Sequence, residues 1–267
     1  MRKILLICIL IFAAFGAPSC YDISKIEKFG DMKSERAVFI LIDETTPFNE
    51  QLKQQIINNA LNFANHGNHI FIAKFSAFLQ GKYNEVLFDF VIDTPLADDQ
   101  RYNLSKNVIA KFDKCLKDQL GYVRKNITNT IKDSFLKDGD KVAKSDILYA
   151  LKDFAQNIIG PNETQNKVVI MASDMLENSS ITSFYAQGKP RKIDSKKEID
   201  IVKKNNLLTD FGGAKVYVIG AGLSDSKKAY INSQMLGSLN DFWSEYFRSS
   251  NANLIEMGTP ALKREIR

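Results

Sequence analysis

Two unbroken apolar segments with β-branched members constrain the fold of this chain more than any other feature. They are residues 37–42, which end at Asp43, and residues 168–172, which end at Ser173 and Asp174. A strand without polar alternation has to be covered on both faces, and this is typical of parallel sheets flanked by helices. We therefore expect both segments to be central strands.

Amphipathic helices are predicted between these strands. Apolar residues recur at helical spacing in four stretches, which are residues 52–64, 108–131, 147–158 and 231–246. A further strand is predicted at residues 215–219 and a short edge strand at residues 254–255. This alternation predicts an α/β domain with a doubly wound, mostly parallel six-stranded sheet and helices on both faces.

One pair of strands is predicted to be antiparallel. Residues 70–75 and 82–92 are both strand-like, and the link around Gln80 and Gly81 is too short to hold a crossover helix. The two segments should therefore form a hairpin, which gives the sheet one antiparallel edge strand.

The start of the chain matches a bacterial secretory signal. A positive start is followed by an apolar run at residues 4–16 and by a small-residue site that ends at Ser19. The run is too short for a stable membrane span, so we predict a signal peptide at residues 1–19 and a periplasmic or secreted protein. Cleavage there gives a soluble chain that begins at Cys20. A lipid anchor on Cys20 is the alternative, although the preceding residues depart from the usual Leu-Ala-Gly pattern.

Two of the three cysteines remain after the signal is removed. They are Cys20 and Cys115, and export would place them in a compartment that permits disulfides. We predict a bond between them that ties an N-terminal strap, residues 20–36, to the long amphipathic helix. The alternative is that Cys115 is a small buried thiol.

Composition excludes several classes of protein. Apolar residues make up 45% and charged residues 25% of the chain, which is typical of a globular domain rather than a disordered one. The formal net charge of +5 is spread over short runs, so it does not indicate nucleic-acid binding. The sequence contains no phosphate-binding loop, Gly-x-Ser-x-Gly elbow or Cys-x-x-Cys pair.

The order of these strands, and of the polar residues that follow them, resembles the von Willebrand factor A domain. The shared features, in chain order, are Asp43 and Thr45 after the first strand, Phe75-Ser76 on the hairpin, Ser145 at a helix start, Ser173-Asp174 after a strand, and a strand ending at Gly220. The resemblance covers residues 37–256 and leaves residues 257–267 as a C-terminal tail. Within it, residues 186–206 are polar and basic without a strong apolar stripe, and we expect them to form an excursion over the surface.

The resemblance implies a metal site. In that family a divalent cation, usually Mg²⁺, lies at the carboxyl ends of the central strands, and a carboxylate of the partner completes its shell. The matching positions here are Asp43, Thr45, Ser145 and Asp174, whose oxygens suit Mg²⁺ and also Mn²⁺ or Ca²⁺. The family's second hydroxyl falls on Pro47, which has no side-chain oxygen, so the implied site is degenerate.

A purely structural interpretation of the same residues stays open. Thr46 and Pro47 suit the cap and the first turn of a helix. Ser145 suits a helix cap, and Asp174 suits a turn. Hydroxyl and carboxylate ligands are also the commonest cap and turn residues, so the pattern by itself does not decide between the two.

The resemblance favours an exported binding module that presents the degenerate metal site to a protein partner. One alternative is a metal-assisted hydrolase in which Asp43, Glu44 and Asp174 help to activate water. It ranks lower because no general base with a suitable neighbour can be named, and His66 and His69 are predicted at the opposite edge of the sheet. The other alternative is a metal-free scaffold.

Overall fold

The computed structural model describes residues 18–27, 34–79, 82–135, 145–223 and 231–267. The predicted signal peptide at residues 1–19 lies almost entirely outside these ranges, as does part of the predicted strap. Across the described ranges, every helix is too short or too polar to cross a membrane.

A six-stranded sheet forms the centre of the molecule. The described residues contain the strands β1 (Arg36–Asp43), β2 (Asn68–Leu79), β3 (Lys82–Val91), β4 (Lys167–Ala172), β5 (Tyr185–Ala186), β6 (Lys189–Pro190), β7 (Ala214–Ile219) and β8 (Ala252–Met257). The sheet has the order β3-β2-β1-β4-β7-β8, while β5 and β6 form a separate small ribbon. Only β2 and β3 are antiparallel neighbours in the six-stranded sheet. The predicted fold class is confirmed.

Helices cover both faces of this sheet. The described helices are α1 (Cys20–Ser24), α2 (Glu50–Asn62), α3 (Asp98–Tyr102), α4 (Lys106–Asp133), α5 (Ile147–Phe154), α6 (Ser195–Lys204) and α7 (Ser233–Ser249), and α5 continues into a π-helical turn at Ala155–Ile159. Successive side chains of a strand point to opposite faces. Val38 and Ile40 therefore pack with α2 and α4, while Phe39 and Leu41 pack with α5, α6 and α7.

The N-terminal segment packs on α4 and forms a smaller core of its own. The predicted disulfide between Cys20 and Cys115 is present, with Cα atoms 5.6 Å apart. Tyr21 is buried, and its ring meets Phe112 edge-on with the ring centroids 4.8 Å apart. The start of the predicted strap is thus an integral part of the packing, because its few apolar residues lie together on one side.

The predicted tail also packs against the domain. Ile266 is buried, and its backbone N–H donates to Asn59 Oδ1 at 2.7 Å. The backbone N–H of Leu262 donates to Gln55 Oε1 at 3.0 Å. Both acceptors lie on α2, so the last residues extend the cover of that face.

The stretch predicted as a surface excursion, residues 186–206, contains a helix that packs on the main core. All of α6 lies in this stretch, and Ile199 and Val202 are buried against the main core. Glu198 is also buried, and its carboxylate pairs with Arg191 at 2.6 Å. The sequence of this stretch is polar because the apolar stripe of α6 is short and the buried Glu198, paired with Arg191, occupies part of the inward face of the helix.

Candidate functional site

Asp43 lies at the centre of the carboxyl edge of the sheet. It is the last residue of β1, which has β2 on one side and β4 on the other. The chain leaves β1 towards β2 and β3 and later returns to the other side through β4, so this is the switch point where ligands of doubly wound sheets bind. The Asp43 side chain is fully buried there.

Hydroxyl groups from three separate segments surround the Asp43 carboxylate. Thr45 donates to Oδ1 through both Oγ1 (2.6 Å) and its backbone N–H (3.0 Å). Oδ2 accepts from Ser145 Oγ at 3.0 Å and from Ser173 Oγ at 2.9 Å. The structure therefore brings together Asp43, Thr45 and Ser145, three of the four predicted ligands. It adds Ser173, which belongs to the Ser173-Asp174 motif but not to the predicted ligand set.

Burial and hydrogen bonding act on Asp43 in opposite directions. Burial is the larger effect and raises the pKa of this carboxyl above its ordinary value, while the hydrogen bonds from Thr45, Ser173 and Ser145 lower it. The neighbouring Glu44 is paired with Lys74 at 3.2 Å. Among the described residues, the donors to Asp43 are the hydroxyls of Thr45, Ser145 and Ser173 and the backbone N–H of Thr45, and all of them are neutral.

Asp174 follows Ser173 and forms a turn. Its Oδ1 accepts from the backbone N–H of Leu176 at 2.8 Å, as expected for an aspartate that opens a loop. This agrees with the turn interpretation and leaves the ligand interpretation as a prediction, since one carboxylate can do both.

The helix-cap interpretation of Thr46 and Pro47 is wrong. Helix α2 begins further along, and Asn49 is its cap, with Oδ1 accepting from the backbone N–H of Leu52 at 2.9 Å. Thr46 is buried, and its Oγ1 accepts from the backbone N–H of Asp174 at 3.1 Å. Pro47 is exposed in the loop. Thr46 therefore ties the loop after β1 to the loop after β4.

The cap interpretation of Ser145 is also wrong, because its hydroxyl donates to Asp43 instead. Asp146 takes the position before α5, without a side-chain cap bond. The N-terminus of α5 is instead held by Glu177, whose Oε2 accepts from the backbone N–H of Leu148 at 2.9 Å. Glu177 is fully buried, and burial raises its pKa to about 8. No sequence signal distinguished this glutamate from a solvated one.

Two tyrosines lie at the same edge of the sheet as the Asp43 cluster. Phe75 on β2 pairs with Asp43 on β1 and with Asn84 on β3. Tyr83, the residue before Asn84 on the antiparallel strand β3, therefore lies one residue further towards the carboxyl edge than Asp43. Its ring stacks on Tyr149 of α5, with the planes 5° apart and the centroids 5.5 Å apart. Both tyrosines are partly exposed, so the same edge of the sheet offers an aromatic surface, with Tyr83 on the second strand away from Asp43.

The two histidines lie at the opposite edge of the sheet, as predicted. His69 is near the start of β2, where Nε2 contacts Asp89 and Nδ1 accepts from Asn162 at 3.0 Å. His66 Nδ1 contacts the backbone oxygen of Asp93 at 3.1 Å. Both imidazoles thus have structural partners away from Asp43.

Within the described residues, no group of three or more histidine, cysteine, aspartate or glutamate side chains has the spacing of a metal site. The Asp43 cluster is of a different kind, because most of its oxygens belong to hydroxyls. Thr45 and Ser145 each give their single proton to Asp43, so their remaining lone pairs are available to a cation. Oxygen donors of this kind suit Mg²⁺, which commonly keeps water in unfilled positions. The residues present therefore fit the implied cation.

Neither a protein-family model nor a curated protein matches the chain. Solved structures similar to it include the SpRpn10 VWA domain, with 14% identity over 86% of this chain and 90% of that one and a TM-score of 0.33. BatB from Bacteroides thetaiotaomicron is 9% identical over 82% of this chain and 89% of that one, with a TM-score of 0.35.

The pilus adhesin SpaC from Lactobacillus rhamnosus GG is 9% identical over 78% of this chain, with a TM-score of 0.40. The chain spans 26% of the length of that adhesin. The assignment of the fold rests on the strand order and on the position of Asp43 at the end of the central strand β1. The chain has a von Willebrand factor A-like α/β fold.

Proposed function

We propose that this protein is an exported binding module that contacts a protein partner through the carboxyl edge of its sheet. A divalent cation, Mg²⁺ in the first place, is held there by Asp43, Thr45, Ser145 and Asp174. The observation that carries the proposal is the shell of hydroxyl donors around the buried Asp43 carboxylate.

The chemistry of this shell favours a cation over an empty scaffold. Every donor to Asp43 among the described residues is neutral. A buried carboxylate held in this way is costly, and a nearby positive charge offsets that cost. The hydroxyls of Thr45 and Ser145 are polarised by the carboxylate to which they donate, which makes their oxygens better ligands. A bound Mg²⁺ would keep water at the position for which Pro47 provides no side-chain oxygen. When bound, the cation supplies a Lewis-acidic point for a carboxylate of the partner.

The surroundings of the cluster support a protein as the partner. The stacked pair of Tyr83 and Tyr149 is partly exposed at the same edge. Tyrosine is enriched at protein interfaces because it contributes a large contact area at a low cost in conformational entropy. A cation flanked by aromatic surface suits an acidic segment that also carries apolar side chains.

Calorimetric titration of the purified protein with Mg²⁺, Mn²⁺ and Ca²⁺ tests the metal site. We expect binding heat and a metal-dependent rise of the melting temperature, because a ligand of the folded state stabilises it. Thr45→Val and Asp174→Ala should lose both effects. Thr128→Val is the matched control, since Thr128 is also partly exposed and donates a hydrogen bond, at 3.0 Å to Arg124 O on α4.

The control variant should respond to metal as the wild type does. Circular dichroism spectra would verify that all variants are folded. If none of the three cations gives heat or moves the melting curve, the metal-free scaffold is the correct interpretation.

Export is tested by mass spectrometry of the protein from its native host. We expect a chain that begins at Cys20 and contains an intact disulfide to Cys115. Retention of Met1 would contradict export through a cleaved signal. A lipid mass on Cys20 would replace the soluble form with an anchored one.

A further inference from the structure

A second buried aspartate, Asp93, lies just beyond β3 at the amino edge of the sheet, with 7% of its surface exposed. Its Oδ2 accepts from the backbone N–H of Cys20 at 2.6 Å and from Gln119 Nε2 at 2.9 Å. Its Oδ1 accepts from Ser19 Oγ at 3.0 Å. Gln119 Oε1 in turn accepts from the backbone N–H of Asp93 at 2.9 Å. The carboxylate thus joins α1, the end of β3 and α4.

Within the described part of the chain, the donors to the Asp93 carboxylate are a hydroxyl, a side-chain amide and a backbone N–H, all of them neutral. A carboxylate taken out of water without a cation is costly, and neutral hydrogen bonds offset only part of that cost. One of its three donors, however, is a backbone nitrogen at the predicted cleavage site. That nitrogen is the group whose charge changes on processing.

We propose that Asp93 is the binding site for the α-ammonium group of Cys20 in the processed protein, an inference that rests on the export part of the proposed function. Hydrolysis adds water across the Ser19–Cys20 amide. Ser19 departs as the carboxylate end of the released peptide, and the Cys20 nitrogen becomes an amine that takes up a proton from solvent. The donor that lies 2.6 Å from Asp93 Oδ2 then carries a full positive charge.

The charge change strengthens a contact that already exists. A hydrogen bond between two ionised groups is roughly twice as strong as one between neutral groups. The ammonium has three N–H groups in place of one, so it also replaces the donor that Asp93 loses with Ser19. Cys20 is also held at its sulfur by the disulfide bond to Cys115. Processing therefore fixes the first residue of the mature chain at two points on the α3–α4 side of the domain.

This assignment is tied to the soluble form of the protein. A lipid anchor needs the Cys20 sulfur for a thioether, and the disulfide to Cys115 occupies that atom. Cys20 is also fully buried, which leaves no room for modification of its nitrogen without loss of the packing.

The test compares two chains released from a cleavable fusion, one beginning at Cys20 and the other at Pro18. Both contain every strand of the sheet. Each is made as wild type, as Asp93→Asn and as Asp113→Asn, the last being the control because Asp113 is a half-exposed carboxylate on α4 that pairs with Arg101. We expect Asp93→Asn to lower the melting temperature clearly more in the chain that begins at Cys20. The control should act equally in both chains.

A second readout is the rate at which an acetylating reagent modifies the Cys20 α-amine, followed by mass spectrometry of the N-terminal peptide. An ion-paired, buried ammonium reacts slowly, so Asp93→Asn should increase the rate by about tenfold or more, since each factor of ten corresponds to one pKa unit of the amine. The folded wild-type chain should also react much more slowly than the same chain in denaturant. This comparison holds even if the variant does not fold.

If Asp93→Asn lowers the melting temperature equally in the two chains, the proposal is overturned. Asp93 would then hold α1 only through hydrogen bonds from neutral donors. Equal acetylation rates in the wild type and Asp93→Asn, or in the folded and denatured wild type, would overturn it as well. The failure of export itself would be seen separately, as an uncleaved N-terminus in protein from the native host.

Discussion

The two buried aspartates, Asp43 and Asp93, lie at opposite edges of the same sheet and differ in the donors that surround them. Asp43 is held by hydroxyls from three loops, together with one backbone N–H. Asp93 is held by a glutamine, a serine hydroxyl and the backbone N–H of Cys20. Neither carboxylate relies on a lysine or arginine among these donors.

The kind of donor around each buried carboxylate indicates which positive charge can balance it. A hydroxyl that donates its proton keeps lone pairs that a metal ion can use, so the Asp43 cluster suits a cation from outside the chain. A backbone N–H has no lone pair to offer, but hydrolysis converts the one at Cys20 into a cation. The same buried residue type is therefore compatible with a binding site at one edge and with an anchor for the chain terminus at the other.

The largest expected effect concerns the disulfide at the Asp93 edge. Replacing both Cys20 and Cys115 by serine should lower the free energy of unfolding by about 4.7 kcal/mol in the chain-entropy model, because the bond closes a loop with a sequence separation of 95. Urea titration with and without reductant measures the loss. Reductant should destabilise the wild type and leave the double variant unchanged. A wild type indifferent to reductant would show that the bond adds nothing.

A third buried carboxylate extends the comparison. Glu177 has a pKa raised from 4.5 to about 8 by burial, so the folded state keeps its proton over a range in which the unfolded state has lost it. The stability of the wild type should therefore fall as the pH rises from about 4.5 to 8.

Glu177→Gln, which mimics the protonated form, should remove this dependence. The variant should become more stable than the wild type by on the order of a few kcal/mol above pH 8. Urea titrations at several pH values measure the difference. Parallel curves for the two proteins would contradict it, and Asp113→Asn serves as a surface control.

Asp43→Asn should destabilise the protein by about 2 kcal/mol at neutral pH. The asparagine oxygen can replace only one of the two acceptors, so hydroxyl donors from Thr45, Ser145 or Ser173 lose a partner. Relief of the buried charge offsets part of this loss. Thermal unfolding measures the effect, and any stabilisation by Mg²⁺ should disappear with it. A variant as stable as the wild type would mean that the hydroxyl shell does not depend on the charge.

The smallest effect is expected for Pro47→Ser. Pro47 is exposed in a loop ahead of α2, so the substitution should cost less than about 1 kcal/mol, mainly through greater freedom of the unfolded chain. The new hydroxyl stands where the resemblance implies a ligand, and it should increase the affinity for Mg²⁺ in calorimetry. An unchanged affinity would show that this position does not face the cation.

The central strands were predictable because their evidence is local. Residues 37–42 and 168–172 are apolar without alternation, and only a strand covered on both faces tolerates that pattern. The short link after β2 likewise excluded a crossover helix. Asp43 and Thr45 come directly after a parallel strand, and Ser145 comes at the start of a helix that leads into one. Both kinds of position lie at the same edge of a doubly wound sheet, so these residues could be placed together.

Helix α6 and the roles of Glu177 and Asp93 were not predictable in this way. The inward face of α6 contains Glu198, whose burial depends on Arg191, and such pairing leaves no periodic signal. Glu177 and Asp93 are ordinary acidic residues in the sequence, and their partners lie 29 and 73 positions away along the chain.

The sequence by itself determined the six strands of the main sheet and the four long helices in their order along the chain, the edge at which the polar loop residues gather, and the pair of cysteines that could join. These follow from hydrophobic periodicity and chain connectivity, which are properties of neighbouring residues. Only the tertiary structure decided that Thr46 bridges two loops rather than capping a helix, that Ser173 completes the Asp43 shell, and that Asp93 receives the nitrogen of Cys20. Such roles depend on which donors reach a buried acceptor, and that is fixed by packing between segments distant in sequence.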